Sequence, residues 1–261
     1  MNYTFCTRTD PGRARENNED AVAVDDVTQL CVLADGMGGY NAGEIASGMA
    51  TAFIKSEMAR WLSEAGKHAK IKEIRRALEI CVDNANRSIF NASGSNPQYS
   101  GMGTTLVVGV FHGTKLVLGH IGDSRCYRLR AGELTQITKD HSLLQEQIDA
   151  GLITQEQAAS SSIKNLVTRA LGVEDAVMLE LHDYVVEAGD CYLMCSDGLS
   201  DMVDDAEIAS ILRGSIPMEQ IADALVVAAN ERGGRDNISV LLVQADAASE
   251  KRGLISRLLG K

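Results

Sequence analysis

The sequence predicts an α+β layered sandwich, with a largely antiparallel sheet core and helices packed outside it. Three observations lead there. Apolar runs of strand length recur along the chain, among them Leu30–Ala34, Thr105–Phe111 and Leu116–Ile121. The connections His112-Gly113-Thr114 and Arg130-Ala131-Gly132-Glu133 suit hairpins and are far too short for parallel crossovers. Segments with a 3.6-residue apolar period come in adjacent pairs instead of alternating with strands.

In chain order, the short run Ala21–Val24 and the strand Leu30–Ala34 come first. Two amphipathic helices follow, Glu44–Leu62 and Lys72–Phe90, the second with Ile74, Leu78, Cys81, Val82, Ala85 and Ile89 on one face. Strands resume at Thr105–Phe111, Leu116–Ile121, Cys126–Leu129 and Leu134–Thr138. Between Asp140 and Gly172 the pattern weakens to short helices around Leu143–Ala150 and Thr154–Ala159, then Ser160-Ser161-Ser162. That stretch reads as an excursion from the core, either a plain surface insertion or a functional flap. Strands Val177–Val186 and Cys191–Cys195 lead to a second helix pair, Asp204–Leu212 and Met218–Asn230. Pro217 is placed to open the latter and Gly233-Gly234 to close it, before the last strand, Ile238–Val243.

A chain of 261 residues that is 45% hydrophobic can bury a sizeable core without disulfide or metal staples. Three prolines and no low-complexity tract leave no obvious linker, so a single domain is expected. The net charge of −11 argues against nucleic-acid binding and against a surface built to lie on anionic lipid. No apolar stretch has the length of a signal peptide or a membrane span. The six cysteines are scattered, without C-x-x-C spacing, as small buried hydrophobes of a reducing cytoplasm would be. A cytoplasmic monomer is the expectation.

The informative feature is where acidic residues fall relative to the strands. Leu30–Ala34 runs into Asp35-Gly36-Met37-Gly38-Gly39, Cys191–Ser196 into Asp197-Gly198, and Leu116–Ile121 through Gly122 into Asp123-Ser124-Arg125. Asp236-Asn237 immediately precedes Ile238–Val243, and Asn18-Glu19-Asp20 precedes Ala21–Val24. A single aspartate at a strand end is an ordinary turn former. This many at strand ends would repel one another unless a cation sat among them, and an all-oxygen ligand set selects hard ions such as Mg²⁺ or Mn²⁺. A pair of such ions suits phosphoryl substrates, lowering the pKa of a water and neutralising the phosphate it attacks. Gly36, Gly38 and Gly39 would allow close backbone approach and unusual dihedrals beside the ions. Arg15, five residues before Asp20, offers a guanidinium that binds phosphate oxygens bidentately, with Arg13 as its competitor.

Together Arg15-x-x-Asn18-Glu19-Asp20, Asp35-Gly36-Met37-Gly38-Gly39, Gly103-Thr104-Thr105, Gly122-Asp123-Ser124-Arg125, Ser196-Asp197-Gly198 and Gly234-Arg235-Asp236-Asn237 resemble, in order and spacing, the metal-dependent protein phosphatases of type 2C. The likeness is to the compact bacterial branch and covers residues 5 to 245 or so. It implies an α-β-β-α sandwich, two central antiparallel sheets flanked by helix pairs, with a binuclear Mn²⁺/Mg²⁺ centre at one end of the sheets. By that resemblance Asp20, Asp35, the Gly36 carbonyl, Asp197 and Asp236 match the ligands of the two core ions, Asp35 bridging them. Glu19 matches a carboxylate that holds water at the centre and Arg15 the phosphate-binding arginine. Asp123 with Asp197, and Asp201 as a further candidate, match a third, weaker metal position. The implied reaction is in-line attack of activated water on phosphoserine or phosphothreonine of phosphorylated proteins, with no phosphoenzyme, reversing a partner Ser/Thr kinase. The implied layout is a catalytic domain over 1–246, a flap at about 140–172 and a basic tail over 247–261.

The departures are as specific. Met37 stands where the eukaryotic branch carries a histidine proposed to protonate the leaving alkoxide, so the leaving-group acid is unassigned. Ser160–Asn165 lacks the His-Pro of many bacterial flaps, and His141 reads as structural. Cys81-(x)₅-Arg87 has the bare spacing of cysteine-dependent phosphatases but sits within a helix, on its apolar stripe. No G-x-x-x-x-G-K-[ST] occurs, and Cys191 and Cys195 alternate into a core face instead of pairing with His182 on zinc. A catalytically inactive phosphoprotein-binding relative is the competing reading. In the tail, Leu254, Ile255, Leu258 and Leu259 at helical spacing, with Lys251, Arg252, Arg257 and Lys261, suggest a short amphipathic helix that docks to a kinase or scaffold.

Overall fold

Strand pairing follows the short connections. In the computed structural model, which describes residues 1–39, 42–159 and 166–247, the chain opens with strands β1 (Asn2–Asp10), β2 (Asp20–Asp25) and β3 (Leu30–Met37). Helices α1 (Ala42–Ala65) and α2 (Ile71–Ser95) follow, then β4 (Gly103–Thr104), β5 (Leu106–His112), β6 (Lys115–Ile121), β7 (Arg125–Arg130) and β8 (Glu133–Gln136). After α3 (Leu143–Asp149) and α4 (Gln155–Ala159) come β9 (Glu180–Val185), β10 (Cys191–Cys195), α5 (Asp197–Ser200), α6 (Asp205–Leu212), α7 (Met218–Glu231) and β11 (Ile238–Asp246). One sheet has the order β1-β11-β10-β7-β8 and the other β2-β3-β5-β6-β9, with β4 on β3, and every pair is antiparallel.

The period-2 alternation decides the layers. On β3, Cys31 and Leu33 face the other sheet beside Val107 and Leu116 of their own, and meet Tyr192, Met194 and Leu241 across the interface, all buried. Leu30, Val32 and Ala34 face outward, under Ala46, Ala50 and Ile54 of α1 and Ile74, Leu78 and Ile89 of α2. On β10, Leu193 faces outward, under Ile221 and Leu225 of α7. Helix pair, sheet, sheet and helix pair form the α-β-β-α sandwich, and the buried face of α2 is the apolar stripe read from its sequence. Among the described residues no helix is long and apolar enough to cross a membrane.

The structure corrects the sequence reading in four places. β1 was not expected, because this edge strand alternates Asn, Thr and Arg with its aromatics and shows no apolar run. β9 begins at Glu180 instead of Val177, where its ladder with β6 ends at the pair His120–Glu180. β8 ends at Gln136, two residues early. Pro217 is the N-cap residue of α7, one position before the helix. The serine-rich stretch 160–165 and the tail 248–261, with its amphipathic helix, lie outside the described residues.

Candidate active site

Antiparallel strands bring starts and ends to the same edge, so acidic residues far apart in sequence meet at one end of the sandwich. Asp20, opening β2, is the ladder partner of Asp35 near the end of β3. Asp197 follows β10 and Asp236 precedes β11, its neighbour. The Asp35 backbone is clamped from β4 and the turn after it: its N–H donates to Thr105 Oγ1 at 3.0 Å, and its carbonyl accepts from the Thr104 hydroxyl at 2.9 Å. Thr105 and Ser124 share a hydroxyl–hydroxyl bond of 2.7 Å, which ties this clamp to the Asp123 turn.

Gly36 is required by packing. A Cβ there would overlap the Gly43 carbonyl in the first turn of α1, and a Cβ on Gly43 would meet the Glu19 carboxylate at 2.5 Å. The Gly36 N–H donates to the Glu19 carbonyl at 3.1 Å, and Ser47 Oγ donates to the same oxygen at 2.6 Å. Helix α1 is thus seated on the site strands. Asn237 binds the N-terminal segment: its Oδ1 accepts from Glu19 N at 2.7 Å, and its Nδ2 donates to the carbonyls of Pro11 and Asn17 at 3.0 and 2.8 Å. Ser196 stands at the N-cap of α5, yet its side chain does not cap the helix. Its hydroxyl donates to Asp20 Oδ2 at 2.7 Å and accepts from Ser239 N at 2.9 Å.

The other oxygen of that carboxylate, Asp20 Oδ1, is buried with no hydrogen-bond partner. Burial pushes the Asp20 carboxyl up to about 7, with Asp236 adding to it. Asp35 is raised well above the usual range, first by burial and then by Asp20, Asp197, Asp123 and Asp236. Asp197 is raised by burial and then by Asp123, Asp201, Asp236 and Asp20. Each carboxylate therefore feels the others, and the natural counter-charge for a buried oxygen lacking a donor is a cation. Carboxylates and a backbone carbonyl without histidine or cysteine form a donor set fitted to a hard divalent ion.

Asp123, Asp197 and Asp201 line a common cavity of 300 Å³ roofed by Leu144 and Ile148 of α3 and Ala158 of α4. Burial raises Asp123 to about 6, with help from Asp140 and Asp201. Arg125 donates to both oxygens of Asp140, Nη2 to Oδ2 at 2.7 Å, and holds that fourth acid of the cavity wall in an ion pair. Arg15 reaches the site from the N-terminal segment, its Nη2 2.7 Å from Asp236 Oδ2, with about half of its side chain exposed. Arg13 offers its backbone N–H to Gly234 at 2.7 Å. Glu19 is raised by burial against the opposing pull of Arg15.

Among the described residues, the group of potential metal-ligating atoms gathered within 4.8 Å is another one: His120, His141 and Glu180. The hydrogen bonds of His141 fit a pairing with Glu180 better than a metal. His141 Nδ1 accepts from Gly122 N–H at 3.1 Å, so Nε2 carries the hydrogen that faces Glu180 at 3.1 Å and has no lone pair to give. The His141 N–H also donates to the Gly122 carbonyl at 2.9 Å. His141 is thus a buried brace for the turn that carries Asp123, in line with its structural reading, and His120 stacks on it at 4.7 Å. Cys81 is a buried thiol pushed up to about 12 by burial, unsuited to nucleophilic work.

The bracing residues Ser196, Asn237, Gly43 and His120 were not singled out in the sequence. The available signals were a serine and an asparagine flanking motif aspartates, and a histidine inside the apolar strand β6.

Known proteins of similar sequence and structure exist. The sequence profile of the protein phosphatase 2C family matches residues 12–242. The serine/threonine phosphatase stp of Listeria monocytogenes is 38% identical over 252 residues, 94% of this chain and 97% of its own length. The crystal structure of the Mycobacterium tuberculosis serine/threonine phosphatase PstP/Ppp has a TM-score of 0.87 at 38% identity, covering 95% of this chain and 100% of that one. The catalytic domain of the serine/threonine protein phosphatase PstP in complex with two manganese ions has a TM-score of 0.81 at 39% identity, over 94% of this chain and 99% of that one.

Proposed function

This chain belongs to the protein phosphatase 2C family and is a Mn²⁺/Mg²⁺-dependent serine/threonine protein phosphatase, and from that premise we propose that Asp20, Asp35, the Gly36 carbonyl, Asp197 and Asp236 hold its two core ions, with Asp35 between them. The observation that supports this most is Asp20 Oδ1, a buried carboxylate oxygen without a donor, in a ring of carboxylates that raise one another's pKa. When bound, the ions supply Lewis acidity that lowers the pKa of a water and neutralises the phosphoryl oxygens.

The chain's own residues do the rest. Asp35 is fixed by Thr104 and Thr105, and Asp20 by Ser196, so both carboxylates are pre-positioned. Arg15 is half exposed at the mouth and swings from Asp236 to the phosphate, which it takes bidentately. Glu19, seated by Asn237 and packed on Gly43, orients water at the centre through its carboxylate. Asp123 and Asp197, with Asp201 across the same cavity, hold a third and weaker ion. Met37 offers no proton to the leaving alkoxide. Residues 1–246 form the catalytic domain with the flap at about 140–172, and the basic tail over 247–261 docks a partner. The substrates are phosphoserine and phosphothreonine proteins, and the enzyme works as a monomer in the cytoplasm against a Ser/Thr kinase.

The test is phosphate release from a phosphothreonine peptide with Mn²⁺, with chelator, and with Asp197→Asn. Release that needs Mn²⁺ and disappears in a folded Asp197→Asn protein supports the assignment. An active, metal-saturated Asp197→Asn enzyme overturns it.

A further inference from the structure

Next to the candidate centre lies an open recess of 830 Å³ that no step above uses, lined by Gly39, Ala42, Ile45, Pro97, Gln98 and Tyr99. Its lining among the described residues carries no charged side chain, in a chain of net charge −11. Ile45 and Tyr99 are half-buried and back directly onto the core between α1, α2 and the sheet. Each therefore presents apolar surface on a rigid support.

Both walls are tied to the site. One wall is the first turn of α1, where Ala42 N–H donates to the Gly39 carbonyl at 3.2 Å and Gly43 packs against Gly36. The other is the turn 97–100, braced by Asn96, whose Oδ1 accepts from Gln98 N at 3.0 Å and whose carbonyl accepts from Tyr99 N at 2.9 Å. From there the chain passes through Met102, whose N–H donates to the Tyr99 carbonyl at 3.0 Å, into β4, where Gly103 pairs with Met37. The recess is thus continuous with the strand that carries Asp35 and Gly36.

Its distance from the centre fits a peptide. Gly39 follows Gly36 by three residues and so lies within about 11 Å of it. An extended peptide advances about 3.3 Å per residue, which puts a side chain two or three residues from a bound phosphoresidue at the lip of the recess. We infer that this recess is a specificity subsite, which takes an aliphatic or aromatic side chain two or three positions from the phosphorylated residue of the substrate. The enzyme then selects phosphopeptides with an apolar flanking residue, through half-burial of that side chain against Ile45 and Tyr99. This rests on the catalytic reading given above.

The experiment compares kcat/KM of the Mn²⁺-loaded enzyme on phosphothreonine peptides that carry Leu, Phe, Ser or Lys singly at each position from three before to three after the phosphothreonine. p-Nitrophenyl phosphate, which has no flanking residue, is the reference. The expected result is a preference of about tenfold for Leu or Phe over Ser at one position, the discrimination that half-burying such a side chain supports. Ile45→Gln and Tyr99→Ser, made separately, should each cut that preference to about twofold or less and leave turnover of p-nitrophenyl phosphate unchanged, which also reports that the variants fold. Equal rates across the peptides, or a preference that survives both substitutions, overturn the subsite. Failure of the wild type to hydrolyse p-nitrophenyl phosphate and every peptide with Mn²⁺ overturns the catalytic reading itself, and the subsite with it.

Discussion

An aspartate flanks each end of β10, Asp190 buried and Asp197 half-buried, and the two behave oppositely. Asp190, just before the strand, is 1% exposed and fully engaged: Arg130 donates Nε to Oδ1 at 2.7 Å and Nη2 to Oδ2 at 2.6 Å, with Glu187 N at 2.9 Å and Tyr192 Oη at 3.2 Å. Burial pushes its carboxyl up, but the Arg130 fork and the Glu187 N–H outweigh that, and it falls below the usual range. Asp197, just after the strand, is raised by burial and by the aspartates around it. A carboxylate whose cation is part of the chain holds the fold together; carboxylates raised by burial and by neighbouring aspartates are suited to a cation from outside.

Removing the charge at both ends should separate the two roles. Asp35→Asn at the acidic end is expected to lower phosphatase activity by at least about a thousandfold, roughly 4 kcal/mol of transition-state stabilisation, with the fold intact. Phosphate release alongside thermal melting checks both halves. At the other end Asp190→Ala, which leaves Arg130 only Glu187 and the Val185 carbonyl and leaves the buried Tyr192 hydroxyl without its acceptor, should destabilise by about 2 kcal/mol and leave kcat of the folded fraction unchanged. Urea unfolding measures the first and active-site-normalised turnover the second. Loss of kcat in Asp190→Ala would erase the distinction between the two ends.

Arg15→Ala is expected to reduce kcat/KM by about tenfold to a hundredfold, mainly through KM. Its ion pair with Asp236 is half exposed and adds little to stability, so melting should barely move.

The smallest effect is a pH dependence, and its sign sharpens the comparison. In metal-free protein Asp20 titrates near 7, above its ordinary value of 3.8, so the folded state binds more protons than the unfolded chain and stability falls as pH rises through 7. His120, held below 6.5 mainly by burial, works in the opposite sense under that pH, and Asp190 only below the carboxylate range. Between pH 6.5 and 8, melting of the chelated protein should therefore drop by about 2–4 °C. With saturating Mn²⁺ the order should reverse, because protons compete with the ion. A chelated protein more stable at pH 8 would mean that the acidic end is already neutralised within the chain.

Much of the acidic end was legible residue by residue. Asp20, Asp35, Asp197 and Asp236 each announce themselves as an acid at the edge of an apolar run, a local pattern that any short window contains. The paired end was not: nothing near Asp190 in the sequence points to Arg130, 60 residues away, and both read as surface charges. Asn237, Ser196 and Gly43 escaped for the same reason, since their partners Glu19, Asp20 and Gly36 are remote in the chain or across a helix seat. Edge strand β1 was invisible because Asn, Thr and Arg interrupt its apolar positions and leave no run.

The sequence by itself determined most of the strands and helices, which of their faces are apolar, and that several acids stand at strand ends, because periodicity and composition are local properties of the chain. Only the tertiary structure decided which aspartates share a site and which is neutralised by an arginine. It also placed the recess beside Gly39, whose walls come from α1 and the turn 97–100. Those outcomes depend on strand order and register between residues as far apart as Asp20 and Ser196, where burial converts an ordinary carboxylate into one that needs a cation.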